Sequence, residues 1–115
     1  MINIAICDDD VAITATIEEI LYKIAKEQGI KISCSVFFDG FTLVEDIRQG
    51  TYYDLIYLDI EMRKVNGISA AELIRGMEIP ALIVYVSSYE KSNQRKKYII
   101  IQYSIKMTQK HKERS

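Results

Sequence analysis

The stretch Ile2–Cys7 (INIAIC) is an apolar run that ends at three consecutive acids, Asp8-Asp9-Asp10. A second apolar run, Leu55–Leu58 (LIYL), ends at Asp59. Short apolar runs rich in isoleucine predict buried strands of a parallel sheet, and ligands of such sheets bind at the carboxyl ends of the strands. We therefore expect several carboxylates to share one crevice, where their mutual repulsion favours a bound cation or a covalent modification.

The rest of the first 90 residues alternates between helical and strand-like patterns. Apolar residues at helical spacing run from Val11 to a glycine at position 29, and Asp9 or Asp10 is available to cap that helix. Further segments follow in the order strand 30–38, helix 41–47, strand 54–59, helix 67–77 and strand 81–86. This βαβαβαβ order predicts a parallel sheet with helices on both faces, because each parallel crossover needs a connecting helix.

Length and composition predict one globular domain. The chain has 115 residues, 49% of them hydrophobic, which suffices for a single core. Cys7 and Cys34 lie in apolar runs without metal-binding spacing, which predicts reduced, buried thiols. No run approaches the roughly 20 apolar residues that span a bilayer, and the N-terminus does not resemble a secretion signal. We therefore expect a cytoplasmic protein without a membrane partner.

The last quarter of the chain has a different character. Residues 1–90 carry seven Lys/Arg against fifteen Asp/Glu, whereas residues 91–115 carry eight against one. Residues 98–105 predict a fifth strand, but the helix expected at about 90–97 lacks an apolar face, and 107–115 contain one apolar residue. The change near residue 91 indicates a degenerate, truncated or frame-shifted C-terminal part. Its scattered basic residues do not indicate direct nucleic-acid binding.

The acids at the strand ends favour Mg²⁺, a hard cation that takes carboxylate and phosphate oxygens. Zinc would require His or Cys, and the one histidine, His111, lies in the basic tail. Taken separately, Asp8-Asp9-Asp10 could simply cap a helix and Asp59 could be a turn residue. Together with Ser87-Ser88 at the end of the fourth predicted strand, they favour a functional site.

Four motifs within about residues 2–90 resemble those of the receiver domains of two-component response regulators. They are the strand into Asp8-Asp9, the strand into Asp59 with Ile60-Glu61-Met62 after it, Asn66-Gly67, and Val86-Ser87-Ser88. The resemblance implies a flavodoxin-like, doubly wound parallel sheet of five strands in the order 2-1-3-4-5, with an atypical C-terminal quarter. One receiver domain would then occupy residues 1–115, with 91–115 as its degenerate or truncated part.

The resemblance also implies roles for individual residues. Asp59 would accept a phosphoryl group from a histidine kinase, and Ser87 would hydrogen-bond the phosphoryl oxygens. Asp9, Asp59 and the backbone carbonyl of Glu61 would ligate Mg²⁺, with Asp8 holding the ion through water. The alternative for Ser87 is a hydroxyl that bonds its own backbone.

Receiver domains also carry a lysine, usually followed by proline, after the fifth strand, with an aromatic switch residue three positions earlier. Tyr103 and Lys106 have this spacing, but Met107 stands where proline is expected. The alternative is a solvated lysine beside a core tyrosine. Arg63 likewise replaces the proline that commonly follows Met62 in the family.

A weaker resemblance, resting on Cys7 and on residues 58–62, is to receivers that precede a LytTR-type DNA-binding domain. It implies an output domain in a longer chain and control of transcription. A homodimer is a further expected partner, since the apolar run Ile99–Ile101 could pair with another molecule if it did not dock on its own sheet.

Two alternatives to a phosphorylated signalling switch remain open at this point. The first is an enzyme, a Mg²⁺-dependent phosphatase of the haloacid-dehalogenase type, although that family has an aspartate where this chain has Glu61. The second is a receiver-like interaction module that has lost phosphorylation. We expect the switch, which needs no small-molecule turnover and is therefore not an enzyme.

Overall fold

The computed structural model describes the backbone of residues 1–62, 67–89 and 97–105, and the side chains of residues 1–62 and 69–86. Strands and helices alternate as far as the fourth strand, and a fifth strand follows. The elements are β1 (Ile2–Cys7), α1 (Val11–Gln28), β2 (Ile32–Phe37), α2 (Gly40–Arg48), β3 (Leu55–Asp59), α3 (Gly67–Gly76), β4 (Leu82–Tyr89) and β5 (Lys97–Ile105).

The strands form one sheet in the order β2-β1-β3-β4-β5, which confirms the predicted order. The first four strands are parallel, and Cys7 lies in register with both Phe37 of β2 and Leu58 of β3. At the end of β3, Asp59 lies in register with Val86 of β4. The carboxyl ends of β1, β3 and β4 therefore meet along one edge, as the sequence predicts.

The prediction that all five strands are parallel is wrong for β5. This strand runs antiparallel to β4, with Ile105 beside Leu82 and Lys97 beside Tyr89. The physical reason is the connection, residues 90–96, because a parallel crossover needs a dozen or more residues and a hairpin needs few. The helix predicted at about 90–97 falls outside the described residues, except for Lys97, which begins β5.

Local capping explains the bounds of α1. Its N-cap is Asp10, whose Oδ1 accepts a hydrogen bond from the Ile13 N–H (3.1 Å). Gly29 ends the helix with φ of 68°, a left-handed conformation that favours glycine, and its N–H reaches the carbonyls of Ala25 and Lys26. No helix in the described part of the chain is both long and apolar enough to cross a membrane.

The core lies mainly between the sheet and the layer formed by α2 and α3. Strand side chains alternate between the two faces of the sheet, so Ala5 and Cys7 point to this layer. Its buried members are Ala5, Cys7, Leu43, Val44, Ile47, Tyr53, Ile56, Leu58, Met62, Ala70, Ala71, Ile74, Ala81 and Ile83. Helix α1 packs on the opposite face, over β1 and β2. Because α2 and α3 hold β1 and β3 together, they fix the edge at which the acids lie.

Candidate functional site

Three carboxylates converge at the shared edge of β1 and β3. One carboxylate oxygen from each of Asp8, Asp9 and Asp59 lies within 4.8 Å of the others. Asp8 is fully buried and Asp59 is 2% exposed, whereas Asp9 is partly buried. The structure therefore brings together the three acids that the sequence singled out.

Two local hydrogen bonds from backbone N–H groups orient the carboxylates of Asp8 and Asp59. The Asp10 N–H donates to Asp8 Oδ1 (2.9 Å), and the Glu61 N–H donates to Asp59 Oδ1 (3.0 Å). Each bond links a carboxylate to the backbone two residues later, so the turn after each strand fixes one oxygen of its acid. The second oxygen of each carboxylate is thereby left for another partner.

Burial raises the pKa of the Asp8 and Asp59 carboxyl groups. Desolvation, reinforced by the negative charge of Asp59 and opposed by the hydrogen bond from Asp10, raises the pKa of Asp8 to about 7. Desolvation also raises the pKa of Asp59, although the Glu61 N–H and Asp8 oppose that change. A pair of buried acids in this condition is stabilised either by a shared proton or by a cation.

The residues present fit a hard divalent cation. Asp8 Oδ2 is buried and accepts no hydrogen bond from the described residues, which is costly unless another partner satisfies it. Carboxylate oxygens are the ligands that Mg²⁺ and similar cations take. Asp8, Asp9 and Asp59 are thus the residues that could hold such an ion.

The sulfur atoms of Cys7 and Met62 lie near the acids but are not among the residues that could hold a metal. Cys7 Sγ is 3.4 Å from the Asp39 carbonyl oxygen, to which it donates, and 3.5 Å from Met62 Sδ. Burial and the nearby acids, led by Asp39, raise the pKa of the Cys7 thiol and keep it neutral. Both cysteines are free, but Cys34 is only partly buried, which corrects the prediction that both are buried.

The remaining predicted site residues lie on β4, on β5 and after β5. Ser87 pairs with Ile99 along the β4–β5 ladder, and Tyr103 pairs with Val84, but their side chains fall outside the described part. Lys106 lies outside the described residues altogether. Its neighbour Ile105 lies beside Leu82, at the opposite edge of the sheet from Asp59. The roles of Ser87, Tyr103, Lys106 and the Glu61 carbonyl stay predictions.

A comparison of the sequence with models of protein families identifies the family to which this fold and acid cluster belong. Residues 4–108 match the model of the family described as the response regulator receiver domain. The chain belongs to this family. Receiver domains act in two-component signalling, and the resemblance drawn from the acid motifs is confirmed.

Individual receiver domains resemble this one at moderate sequence identity. An uncharacterised response regulatory protein of Yersinia pestis is 26% identical over 93 residues, which are 79% of this chain and 36% of that protein. The response regulator TrrA of Thermotoga maritima, solved in complex with Mg²⁺-BeF, is 29% identical, with a TM-score of 0.56 and coverage of 81% of this chain and 76% of TrrA. This receiver thus spans about a third of the length of its curated relative.

A second solved structure includes a partner. The receiver domain of Saccharomyces cerevisiae Ssk1, crystallised with the histidine phosphotransfer protein Ypd1, is 25% identical to this receiver, with a TM-score of 0.60. The match covers 79% of this chain and 66% of the yeast chain.

Sequence reasoning missed two features around the acids. One is the contact of Cys7 with Asp39 and Met62, which ties the loop after β3 to β1 under the site. The available signal was Met62 itself, an apolar residue in the loop three positions after Asp59. The other is the raised pKa of Asp8, which depends on its complete burial and has no signal in residue order.

Proposed function

We propose that this receiver domain accepts a phosphoryl group on Asp59 and uses Mg²⁺ to do so. The observation that supports the proposal best is the position of Asp59, which is almost fully buried at the end of the central strand with Asp8 and Asp9 beside it. Asp59 is also the acid of this cluster that belongs to a strand held on both sides, by β1 and by β4.

The proposed reaction is a displacement at phosphorus. A carboxylate oxygen of Asp59 forms a bond to the phosphorus atom, while the bond from phosphorus to the donor breaks and the donor keeps the electron pair. The donor is a phosphohistidine of a kinase, or acetyl phosphate, from which acetate leaves. Mg²⁺, when bound, screens the repulsion between the anionic nucleophile and the anionic donor.

Within this proposal each residue has a separate task. Asp9 and Asp59, with the backbone carbonyl of Glu61, would ligate the metal, and Asp8 would hold it through water. The Glu61 N–H keeps Asp59 Oδ1 in place, so that the carboxylate does not have to reorganise during attack. Ser87 is the proposed phosphoryl-binding residue, through which phosphorylation would bias the surface around β4. The switch roles of Tyr103 and Lys106, which the resemblance implies, stay predictions, since Ile105 lies at the end of the sheet away from Asp59.

The proposed partners follow from the receiver family and its solved members. A histidine kinase is the proposed donor, and the Ssk1 receiver in complex with a histidine phosphotransfer protein supports a phosphohistidine partner. The Mg²⁺-BeF complex of TrrA supports the metal. We further propose that the domain works in the cytoplasm, without turnover of a small molecule, and controls an output domain in a longer chain, with transcription as the output. A homodimer is part of the proposal.

A second candidate function has one specific observation in its favour. Because β5 is antiparallel, Ile105 lies at the edge away from Asp59, and Lys106 follows it directly. A receiver whose lysine does not reach the phosphoryl group would act by protein contact alone. The haloacid-dehalogenase alternative has no such support, since Glu61 is exposed and occupies the position where that family has an aspartate.

One experiment distinguishes the three candidates. The full chain is incubated with acetyl phosphate and Mg²⁺, and its intact mass is followed with time. A stable gain of one phosphoryl group supports the switch, an unchanged mass without phosphate release supports the contact module, and continuous release of phosphate without accumulation supports the phosphatase. An unchanged mass would overturn the proposed function.

A further inference from the structure

Met62 is a loop residue that is buried directly beside the acid site. The residue before it, Glu61, orients Asp59 Oδ1 through its N–H (3.0 Å), and its carbonyl is the proposed ligand of Mg²⁺. Met62 is only 6% exposed and belongs to the core between the sheet and the α2/α3 layer. Loops run over the surface, so a buried Met62 fixes one end of the segment that serves the acids.

The other end of this segment is fixed by the sheet. The Ile60 N–H donates to the carbonyl oxygen of Val86 on β4 (2.9 Å), which continues the pairing of β3 with β4 past Asp59. Glu61 therefore lies between one residue held by a backbone hydrogen bond and another held by its side chain. With both neighbours held, the N–H and the carbonyl of Glu61 keep one orientation toward the site.

Cys7 is the residue of β1 that contacts Met62. Its sulfur lies 3.5 Å from Met62 Sδ, and the Cys7 side chain is fully buried. In a core packed without voids, two side chains in such contact do not move independently. A thiol behaves as a small apolar side chain, so Cys7 fills the space directly before Asp8 without adding a charge.

The same sulfur also contacts the turn after β2. Cys7 donates to the carbonyl oxygen of Asp39 (3.4 Å), the residue that caps α2. Asp39 is held in turn, because its Oδ1 accepts a hydrogen bond from the Thr42 N–H (2.8 Å). The Cys7 sulfur is thus placed by β1 and by the start of α2, and Met62 packs against a support that joins two elements.

We propose that Met62, supported by Cys7, is a positioning residue that holds the Glu61 backbone in place for Asp59 and for the metal. This inference rests on the proposed function, since it assigns how the geometry of that site is maintained. The two sulfur atoms act through the backbone of the loop and do not ligate the metal. Residues that support metal ligands from behind typically contribute about 10–100-fold to metal affinity or activity.

Amide hydrogen exchange of the full, metal-free chain, measured residue by residue by NMR, tests the positioning role. The reference is the Asn3 N–H, which donates to Asp54 Oδ2 (2.8 Å) at the opposite edge of the sheet. Met62→Ala should speed exchange of the Glu61 N–H about tenfold relative to this reference. Met62→Leu keeps the volume of the side chain and should restore the rate to within about twofold. No change at Glu61, or an equal change at both amides, would overturn the proposal.

Ile47→Ala is the matched control for a loss of packing. Ile47 is 4% exposed in the same core, but it lies in the last turn of α2, where the chain returns to the start of β3. This variant should also unfold at a lower urea concentration, and yet it should leave the exchange of Glu61 relative to Asn3 unchanged. An equal rise of that ratio in Ile47→Ala and Met62→Ala would indicate a general loss of stability and would overturn the proposal.

A double-mutant cycle tests the part assigned to Cys7. Cys7→Ala alone should speed exchange of the Glu61 N–H roughly threefold, and it should add little in the Met62→Ala background, because no side chain is left to support. Cys34→Ala, at the other free cysteine, is the control and should leave this rate unchanged. Fully additive effects of Cys7→Ala and Met62→Ala would overturn the role of Cys7 as the support of Met62.

A Mg²⁺ titration of the same variants separates this inference from the proposed function. Met62→Ala should raise the dissociation constant for Mg²⁺ about tenfold, and Ile47→Ala should leave it unchanged. An unchanged constant in Met62→Ala would overturn the positioning role while the proposed function stands. Failure of the unmodified chain to bind Mg²⁺ would contradict the proposed function, and the exchange of the Glu61 N–H would still decide the positioning role.

Discussion

The two faces of the sheet are covered to very different extents. On the α2/α3 face, Ile56, Leu58 and Ile74 are fully buried, whereas on the α1 face Ile20 and Ile24 remain half exposed. Alternation along β3 places Asp59 on the same face as Tyr57, which is the α1 face. Helices α2 and α3 thus close one face along β1 and β3, whereas the other face buries Ile6 but leaves Tyr57 only partly buried.

The largest expected difference between the faces is in stability. Ile74→Ala on the α2/α3 face should lower the free energy of unfolding by about 2–5 kcal/mol, because it leaves a cavity in a closed core. Ile24→Ala, measured on the monomer, should cost less than about 1 kcal/mol because its side chain is already half hydrated. Urea unfolding at low protein concentration measures both. Equal losses would mean that the two faces are packed alike.

The second prediction concerns pH and the acids on the α1 face. The pKa of Asp8 rises from its ordinary value of 3.8 to about 7 in the folded state, so the fold favours the protonated acid. Its contribution to stability is complete below pH 3.8 and is lost as the pH rises through about 7. Without metal, the free energy of unfolding should fall by about 2–3 kcal/mol between pH 5 and pH 8.

Urea unfolding in a chelating buffer measures this dependence. Asp8→Asn is the control and should remove most of the slope, and excess Mg²⁺ should remove it as well because the metal favours the ionised acids. Stability of the unmodified, metal-free chain that increases over the same pH range would contradict the predicted protonation of Asp8.

The third prediction separates two adjacent acids. Asp9 lies in the carboxylate cluster, whereas Asp10 caps α1 through the Ile13 N–H. Asp9→Asn should raise the dissociation constant for Mg²⁺ at least tenfold, or about 1.4 kcal/mol, because it removes a charged ligand. Asp10→Asn keeps a capping oxygen and should change it by about twofold. A Mg²⁺ titration that gives equal losses would place both acids, or neither, at the metal.

The smallest expected effect compares one tyrosine hydroxyl on each face. Tyr53 Oη donates to the Asp46 carboxylate (2.5 Å) in the α2/α3 layer, whereas Tyr22 Oη accepts from a backbone N–H on the α1 side. A hydrogen bond to a charged group contributes more than a neutral one. Tyr53→Phe should therefore cost about 1 kcal/mol more than Tyr22→Phe in urea unfolding. A larger loss of stability in Tyr22→Phe than in Tyr53→Phe would contradict the prediction that the hydrogen bond in the α2/α3 layer contributes more.

Much of this arrangement can be predicted from the sequence, for physical reasons that are local. The β1 and β3 runs are apolar enough to identify them as buried strands, and their terminal acids must then meet because parallel strands end at one edge. Asp10 and Gly29 mark the ends of α1 by their capping chemistry. These features depend on residues that are close together in the chain, so they can be predicted from the sequence.

Features that depend on neighbours in space were not predictable in the same way. The helical spacing of Ile20 and Ile24 indicates an apolar stripe, but only the position of α1 over β1 and β2 determines how much of it is covered. The apolar run in β5 predicts a strand, yet its antiparallel direction follows from the short connection after Tyr89. The pKa of Asp8 likewise depends on burial by the assembled loops.

Mass spectrometry of three forms of the chain can locate the phosphoryl group on β3. The chain, Asp59→Asn and Asp54→Asn are each treated with acetyl phosphate and Mg²⁺, and their intact masses are compared. Asp54 lies just before the opposite end of β3, where its carboxylate accepts a hydrogen bond from the Asn3 N–H (2.8 Å), so it is the matched control. The unmodified chain and Asp54→Asn should gain one phosphoryl group and Asp59→Asn none, whereas labelling of Asp59→Asn would show that another residue accepts the phosphoryl group.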